Sequence, residues 1–280
     1  MPTMKYRHCY SNPHWLQLLQ DNGLNDFDTL WDLEHDWFEP PNRRRGGWSG
    51  VCRLELKGEG GSVLSVFMKR QENHMARTLR HPFRGIPTSR KELLNLIRFR
   101  AAALPVPEII YGADRVFQGR AQGILITREL TGYQSLDELL REWRIRGLPE
   151  TFLAQLLFPP LSGMIRNMHQ QGFRHNCLYG KHIFVRLTPP PAEICSEATD
   201  PSSVRVSPVF IDLEKVRFFP LKQRNIVRDL GQLHRHTDFS HAQWQHFIDT
   251  YLAPLPEAAQ IRARLGKQKK SRSSAERVLL

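Results

Sequence analysis

Apolar residues recur at helical spacing in several stretches of the chain, and at strand spacing in others. Leu24 to Phe38 carries Phe27, Leu30, Trp31 and Leu33 on one face, with acids between them, and predicts a helix. A second helix is expected from Ser89 to about Ala103 through Leu93, Leu94, Leu96, Ile97 and Phe99. Ser89 and Glu92 stand at capping-box positions, and Leu104-Pro105-Val106-Pro107 stops the run. Further helices are predicted over Ser135–Arg144, Phe152–Gln171, from Asn225 to Leu233, and over 242–252. In the longest of these, Pro159-Pro160 predicts a kink or a break near Phe158.

Alternating segments predict strands at Val51–Leu56 and Ser62–Lys69, joined by a hairpin turn at Lys57–Gly61 and preceded by a glycine-rich turn, Gly46–Gly50. Strands are also expected at Glu108–Gly112, Gly123–Leu130, Ile183–Val185 and Val209–Ile211. The Pro-, Ser- and Glu-rich segment Thr188–Pro208 reads as an insertion between the last two. The basic, His-rich stretch 70–88 reads as loop, and Arg43-Arg44-Arg45 as a solvated run.

The candidate chemistry lies in two places. Gly47 and Gly50, a strand, a hairpin and a strand ending in Lys69 make a lid suited to nucleotide phosphates, because small residues let backbone amides approach and the lysine adds a point charge. Read locally, such glycines are ordinary turn residues and Lys69 an edge charge. Glu92 has two readings: it closes its own capping box, or it pairs with Lys69. The second place is the loop His175-Asn176-Cys177-Leu178-Tyr179-Gly180-Lys181-His182, entered from a helix that breaks at Gly172 and left by an apolar strand. The later strand Val209–Ile211 ends in Asp212. Helix, His-bearing loop, strand and strand-Asp is the layout of a kinase catalytic loop followed by its metal-binding aspartate.

Taken in order, Gly46–Gly50, Val66-Phe67-Met68-Lys69, Glu92, the linker after Glu129, Met168-His169, Gly172, His175, Ile211-Asp212 and Arg228-Asp229-Leu230 resemble the bacterial lipopolysaccharide core kinase family. This is the Kdo/WaaP/InaA-like branch of the protein-kinase-like fold, and the resemblance, to InaA-type members above all, spans roughly residues 45–252. It implies an α+β, two-lobed protein-kinase-like fold with a small β-rich N-lobe and a larger helical C-lobe. The expected domains are an extension over 1–45, the N-lobe over 46–130, the C-lobe over 131–265 and a basic, disordered tail over 266–280.

The resemblance also implies roles. Lys69 would hold the α and β phosphates of ATP, with Glu92 orienting it and Gly47 and Gly50 in the covering turn. Asp212 would hold Mg²⁺ and Asp229 would brace the catalytic loop from below. The loop departs from the pattern. Laid on His175, the motif H-R-D-x-x-x-x-N puts Cys177 where the catalytic Asp belongs and His182 where the metal-binding Asn belongs. A one-residue shift puts Asn176 at the base position instead, at the cost of an insertion downstream. A thiol, or His175 or His182, could serve as base, or the enzyme could turn over slowly without one, and His182 could ligate the metal. Asp212 is followed by Leu213-Glu214 in place of Phe-Gly.

Charge sharpens the choice of partner. Lys and Arg number 40 against 28 Asp and Glu, a formal net charge of +12. That favours polyanions: nucleotide phosphates, a lipopolysaccharide core or other anionic glycolipid acceptor, or peripheral contact with the inner membrane. No recognition helix or RNA-binding motif accompanies the charge, so no specific nucleic acid is expected. Cys9, Cys52, Cys177 and Cys195 form no paired spacing, which fits a reducing cytoplasm rather than a disulfide framework. Neither a signal peptide nor a membrane span is predicted. Two functions remain: an ATP-dependent kinase acting on a sugar hydroxyl of the lipopolysaccharide inner core, or a pseudokinase that binds nucleotide or partners without phosphoryl transfer.

Overall fold

A computed structural model describes residues 8–44, 46–78, 81–194, 199–219 and 222–266. The chain folds as two compact units: Met1–Ala101 with Val106–Thr131, and Ala102–Pro105 with Gly132–Leu280.

The first unit is built on a six-stranded sheet. In chain order it contains β1 (His8–Ser11), α1 (Pro13–Asp21), α2 (Phe27–Asp32), β2 (Glu39–Arg44), β3 (Gly47–Lys57), β4 (Val63–Glu72), β5 (Met75–Thr78), β6 (His81–Pro87), α3 (Thr88–Ala101), β7 (Ile109–Phe117) and β8 (Arg120–Arg128). The sheet order is β1-β7-β8-β4-β3-β2, and β5 and β6 form a separate hairpin. The residues before Gly46, set apart in the sequence, thus supply both edge strands and two helices. α1 starts at an Asn12 cap whose side chain accepts from the His14 amide, with Pro13 at the first helical position. The helix expected over Leu24–Phe38 is only the six residues of α2.

Strand periodicity decides which face each side chain of β4 takes. Val66 and Met68 are fully buried in a cluster with Leu19, Phe27 and Leu30 from the first two helices and with Ile124 and Ile126 from β8. Lys69 and Gln71 alternate with these and meet α3: the Gln71 side-chain oxygen accepts from the Ser89 amide at 2.6 Å. The reading of 70–88 as loop fails here, because β4 runs on to Glu72 and β5 and β6 pair as a hairpin before α3. Basic composition hid the strands.

The second unit is richer in helix. It contains β9 (Gln134–Ser135), α4 (Leu136–Ile145), α5 (Glu150–Gln170), β10 (Phe173–Arg174), β11 (Ile183–Thr188), β12 (Arg205–Phe210), β13 (Arg217–Phe218), α6 (Lys222–Arg235) and α7 (His241–Leu252). β12, β11 and β9 form one small sheet, and β10 pairs with β13. α5 runs as one helix through Pro159 and Pro160, so of the expected kink or break the break does not occur. Leu153, Leu157, Phe158, Leu161 and Ile165 are fully buried around the two prolines, and that packing outweighs the lost hydrogen bonds. The insertion Thr188–Pro208 lies between the antiparallel strands β11 and β12, and their pairing draws in its two ends. Arg45, Cys195 and residues 267–280 of the basic tail lie outside the described residues. Among the described residues, no helix is long and apolar enough to cross a membrane.

Candidate functional site

In the first unit Lys69 and Glu92 are brought together. Lys69 leaves β4 toward α3, and its Nζ donates to Glu92 Oε2 at 2.8 Å. The two side chains retain 21% and 12% exposure, enough for an ammonium to reach a ligand. Ser89 lies inside α3 and its buried Oγ has no hydrogen-bond partner among the described residues, so it does not cap the helix, and of the two readings of Glu92 the pairing with Lys69 is the one that forms. Gly47 and Gly50 fare differently. Both lie inside β3, not in a turn. A Cβ on Gly50 would stand 2.5 Å from Trp37 Cζ3, and one on Gly47 would stand 2.0 Å from the Glu72 carbonyl oxygen. Packing against Trp37 and against the end of β4 already requires glycine at both positions, so their identity gives no support to a phosphate lid.

In the second unit the loop after β10 is held from below by one carboxylate. Asp229, fully buried on α6, accepts the His175 amide at 2.6 Å and the Asn176 amide at 2.9 Å. His169 Nε2 lies 3.3 Å from the same group, and its Nδ1 faces the Tyr251 hydroxyl at 2.9 Å. Asn176 takes a left-handed φ of 65°, and its side-chain amide donates to the Lys215 carbonyl at 2.8 Å, tying the loop to the segment after Asp212. Farther along, a Cβ on Gly180 would fall 1.9 Å from Asp137 Oδ1, so only glycine lets the loop pass the first turn of α4.

The two catalytic candidates must be corrected. His175 has no exposed surface. Its Nε2 lies 3.2 Å from the Ile211 carbonyl, and burial drives its pKa down to about 4. A ring sealed this way cannot reach a substrate proton; it fixes the loop to the strand that delivers Asp212. Cys177 is 2% exposed, and its sulfur accepts from Lys215 Nζ at 3.3 Å. Burial is the main cause of the raised pKa of Tyr179, and Cys177 acts in the same direction. Cys177 is thus a buried thiol facing a cation. Lys215 is the residue that sequence reasoning passed over. Its signal was the lysine three positions after Asp212, in Asp212-Leu213-Glu214-Lys215.

His182 and Asp212 meet. His182 Nδ1 lies 2.9 Å from the Cys177 carbonyl, which can only accept, so this nitrogen carries the proton. Nε2 then turns a lone pair toward Asp212 Oδ2, 3.4 Å away. Burial lowers the pKa of His182 against the opposing pull of Asp212, which favours the neutral ring. Two acceptors facing each other suit a cation between or beside them. Among the described residues, no group of three or more His, Cys, Asp or Glu side chains could hold a metal ion. A single divalent cation on these two donors would need phosphate oxygens and water to complete its shell, the usual manner for Mg²⁺. Imidazole, however, is a softer ligand than the amide it replaces.

Known proteins share this arrangement of elements. The chain is 27% identical over 230 residues to Protein InaA of Escherichia coli (strain K12), covering 82% of this chain and 96% of that protein. The solved structure of WaaP in complex with acyl carrier protein superposes with a TM-score of 0.63 at 19% identity, covering 94% of this chain and 98% of that one. It shows a shared kinase-like fold, sheet-rich in the first unit and helix-rich in the second. The model of the lipopolysaccharide kinase (Kdo/WaaP) family matches residues 28–251, and the chain belongs to that family.

Proposed function

We propose that the protein is an ATP-dependent kinase that phosphorylates a sugar hydroxyl of the lipopolysaccharide inner core. The observation that carries this reading is the Lys69–Glu92 ion pair, a lysine on a strand oriented by a glutamate on the following helix. In this reading Lys69 binds the α and β phosphates. Asp212 and His182 would hold a divalent cation, which would supply charge neutralisation at the nucleotide phosphates. Lys215 adds a second positive charge beside the position a catalytic carboxylate would fill. Phosphoryl transfer passes through a loose transition state, so positioning and charge carry most of the catalysis. General-base help is worth roughly 10²–10⁴-fold, and its absence slows the enzyme without abolishing it.

One observation favours a second reading, a pseudokinase: the base position holds Cys177, buried and engaged by Lys215. The net charge of +12 suits an anionic glycolipid acceptor and peripheral contact with the cytoplasmic face of the inner membrane. Because the solved fold relative is complexed with acyl carrier protein, that partner also belongs to the proposal.

A thermal-shift titration with Mg·ATP tests the nucleotide site. Wild type is expected to be stabilised by about 2.7 kcal/mol at a hundredfold excess over Kd, and Lys69→Met to lose most of this. An equal shift in both proteins would remove Lys69 from the site.

A further inference from the structure

Residues 215–228 read KVRFFPLKQRNIVR, with five basic side chains and no acid between Glu214 and Asp229. The fold gathers the arginines of this stretch around Arg174. In the β10–β13 pair, Arg217 stands directly opposite Arg174. α6 packs against β10 and is fastened there by Asn225 Nδ2, which donates to the Phe219 carbonyl at 2.8 Å and the Gly172 carbonyl at 3.4 Å. Arg224 and Arg228 lie one turn apart on that helix and are exposed, as is Arg217.

Arg174 itself is 7% exposed. Its guanidinium lies over the Phe219 ring at 5.6 Å, and its buried Nε has no hydrogen-bond partner. Among the described residues, none of the four arginines stands in an ion pair. The carboxylate of Asp229, which acts on Arg174, is already taken by two backbone amides and lies against His169. Burial and then the positive charge of Arg228 lower the pKa of Arg174, with Arg217 and Arg224 acting the same way.

A buried guanidinium with a free donor, ringed by three more, is costly unless an anion answers it. A carboxylate offers two oxygens. A phosphate monoester offers three and up to two negative charges, which suits a site where several guanidinium groups lie near one another.

We propose that Arg174, Arg217, Arg224 and Arg228 form a phosphate-binding site that takes a phosphate group carried by the glycolipid acceptor. The assignment to the acceptor rests on the kinase reading above, whereas the site itself does not. It sits next to the loop that Asp229 braces, so a phosphate bound there helps to fix the acceptor in register with that loop. The assignment gives the basic surface a specific duty, recognition of an acceptor that already bears phosphate.

The test is calorimetric titration of the intact protein with inorganic phosphate, without nucleotide. Saturable binding is expected for wild type and for the charge control Arg205→Ala, with affinity falling about tenfold in each of Arg224→Ala and Arg228→Ala. Both substitutions lie on an exposed helix face, so the fold should persist, and circular dichroism checks it. Arg228→Lys keeps the charge but loses the fork and should fall between. No saturable binding, or equal binding by all variants, overturns the site.

A competition arm separates the sources of phosphate. Core oligosaccharide that bears phosphate should displace inorganic phosphate, and the same material after phosphatase treatment should not. Displacement by neither overturns the assignment to the acceptor, even if inorganic phosphate binds. Because no step of this test requires turnover, an inactive protein with an intact phosphate site would count against the kinase reading alone.

Discussion

Asp212, two residues beyond the end of β12, has φ 55° and ψ 59°, in the left-handed region that Asp and Asn tolerate better than other side chains. The chain thus turns sharply at the carboxylate and hands the side chain to His182 rather than to the small sheet behind it. Asparagine keeps this backbone while removing the charge, which makes Asp212→Asn a cleaner probe than alanine. The opposite donor, His182, is the softer half of the pair. Wild type is expected to favour Mn²⁺ over Mg²⁺ in metal-dependent nucleotide binding, and His182→Asn to shift the preference toward Mg²⁺. An unchanged Mn²⁺/Mg²⁺ ratio, measured by titration calorimetry, would remove His182 from the metal site.

His175 makes a different prediction, about stability. Its buried Nδ1 has no partner, so a second proton would place an unanswered charge in the interior. The folded-state pKa of about 4 lies below the ordinary value of 6.5. The neutral ring is therefore favoured by folding. Above pH 6.5 both states hold it neutral and this stability is fully present. As pH falls from 6.5 toward 4, the unfolded chain binds the proton first and stability is lost, on the order of 3 kcal/mol over the whole window. Urea midpoints at pH 7 and pH 5 should differ more for wild type than for His175→Gln; identical differences would contradict the assignment.

At the level of elements, the glycines of β3 answer to packing. β3 crosses Trp37 at Gly50, and Trp37 also stands edge-on to Trp48 with ring centroids 5.9 Å apart. Gly50→Ala drives a methyl into the Trp37 ring and is expected to cost about 1–3 kcal/mol of stability. Nucleotide affinity should stay within about twofold once stability is corrected, a change under about 0.5 kcal/mol. A loss of affinity without a loss of stability would return Gly50 to the phosphate lid. Arg70 is a related case on the neighbouring strand. It is 7% exposed and, among the described residues, stands in no ion pair; it bonds His35 at 2.8 Å and the Leu33 carbonyl at 3.2 Å while lying over the Trp37 ring at 5.2 Å. It fastens the irregular segment after α2 to the sheet through carbonyls rather than charge.

At the scale of the molecule, the sequence was most legible where period and punctuation agreed. The hairpin around Gly58–Gly61, the helix that opens at Ser135, and the strand that leads toward Asp212 follow from spacing and turn chemistry. It was least legible where tertiary packing overruled local preference. α5 continues through two prolines because a buried face holds it, and β5 and β6 form a hairpin despite basic, proline-bearing sequence. Within the site, order along the chain was readable and partnership was not. Spacing placed a histidine and a thiol in the loop, but nothing local could say that His175 would be sealed, or that Lys215 would cross to Cys177. The arginines around Arg174 were invisible for the same reason: the two strands and the helix that gather them are brought together only by the fold.

The kinase reading requires phosphoryl transfer despite the thiol at the base position. Its most direct test is the transfer of label from γ-³²P-ATP to purified core oligosaccharide by wild-type protein and by Asp212→Asn, with both proteins first checked for equal folding. Slow incorporation into the oligosaccharide is expected for wild type, and its loss, by a factor of roughly 10² or more, in Asp212→Asn. No incorporation by a wild-type protein that still binds Mg·ATP through Lys69 would contradict the reading and leave a nucleotide-binding pseudokinase.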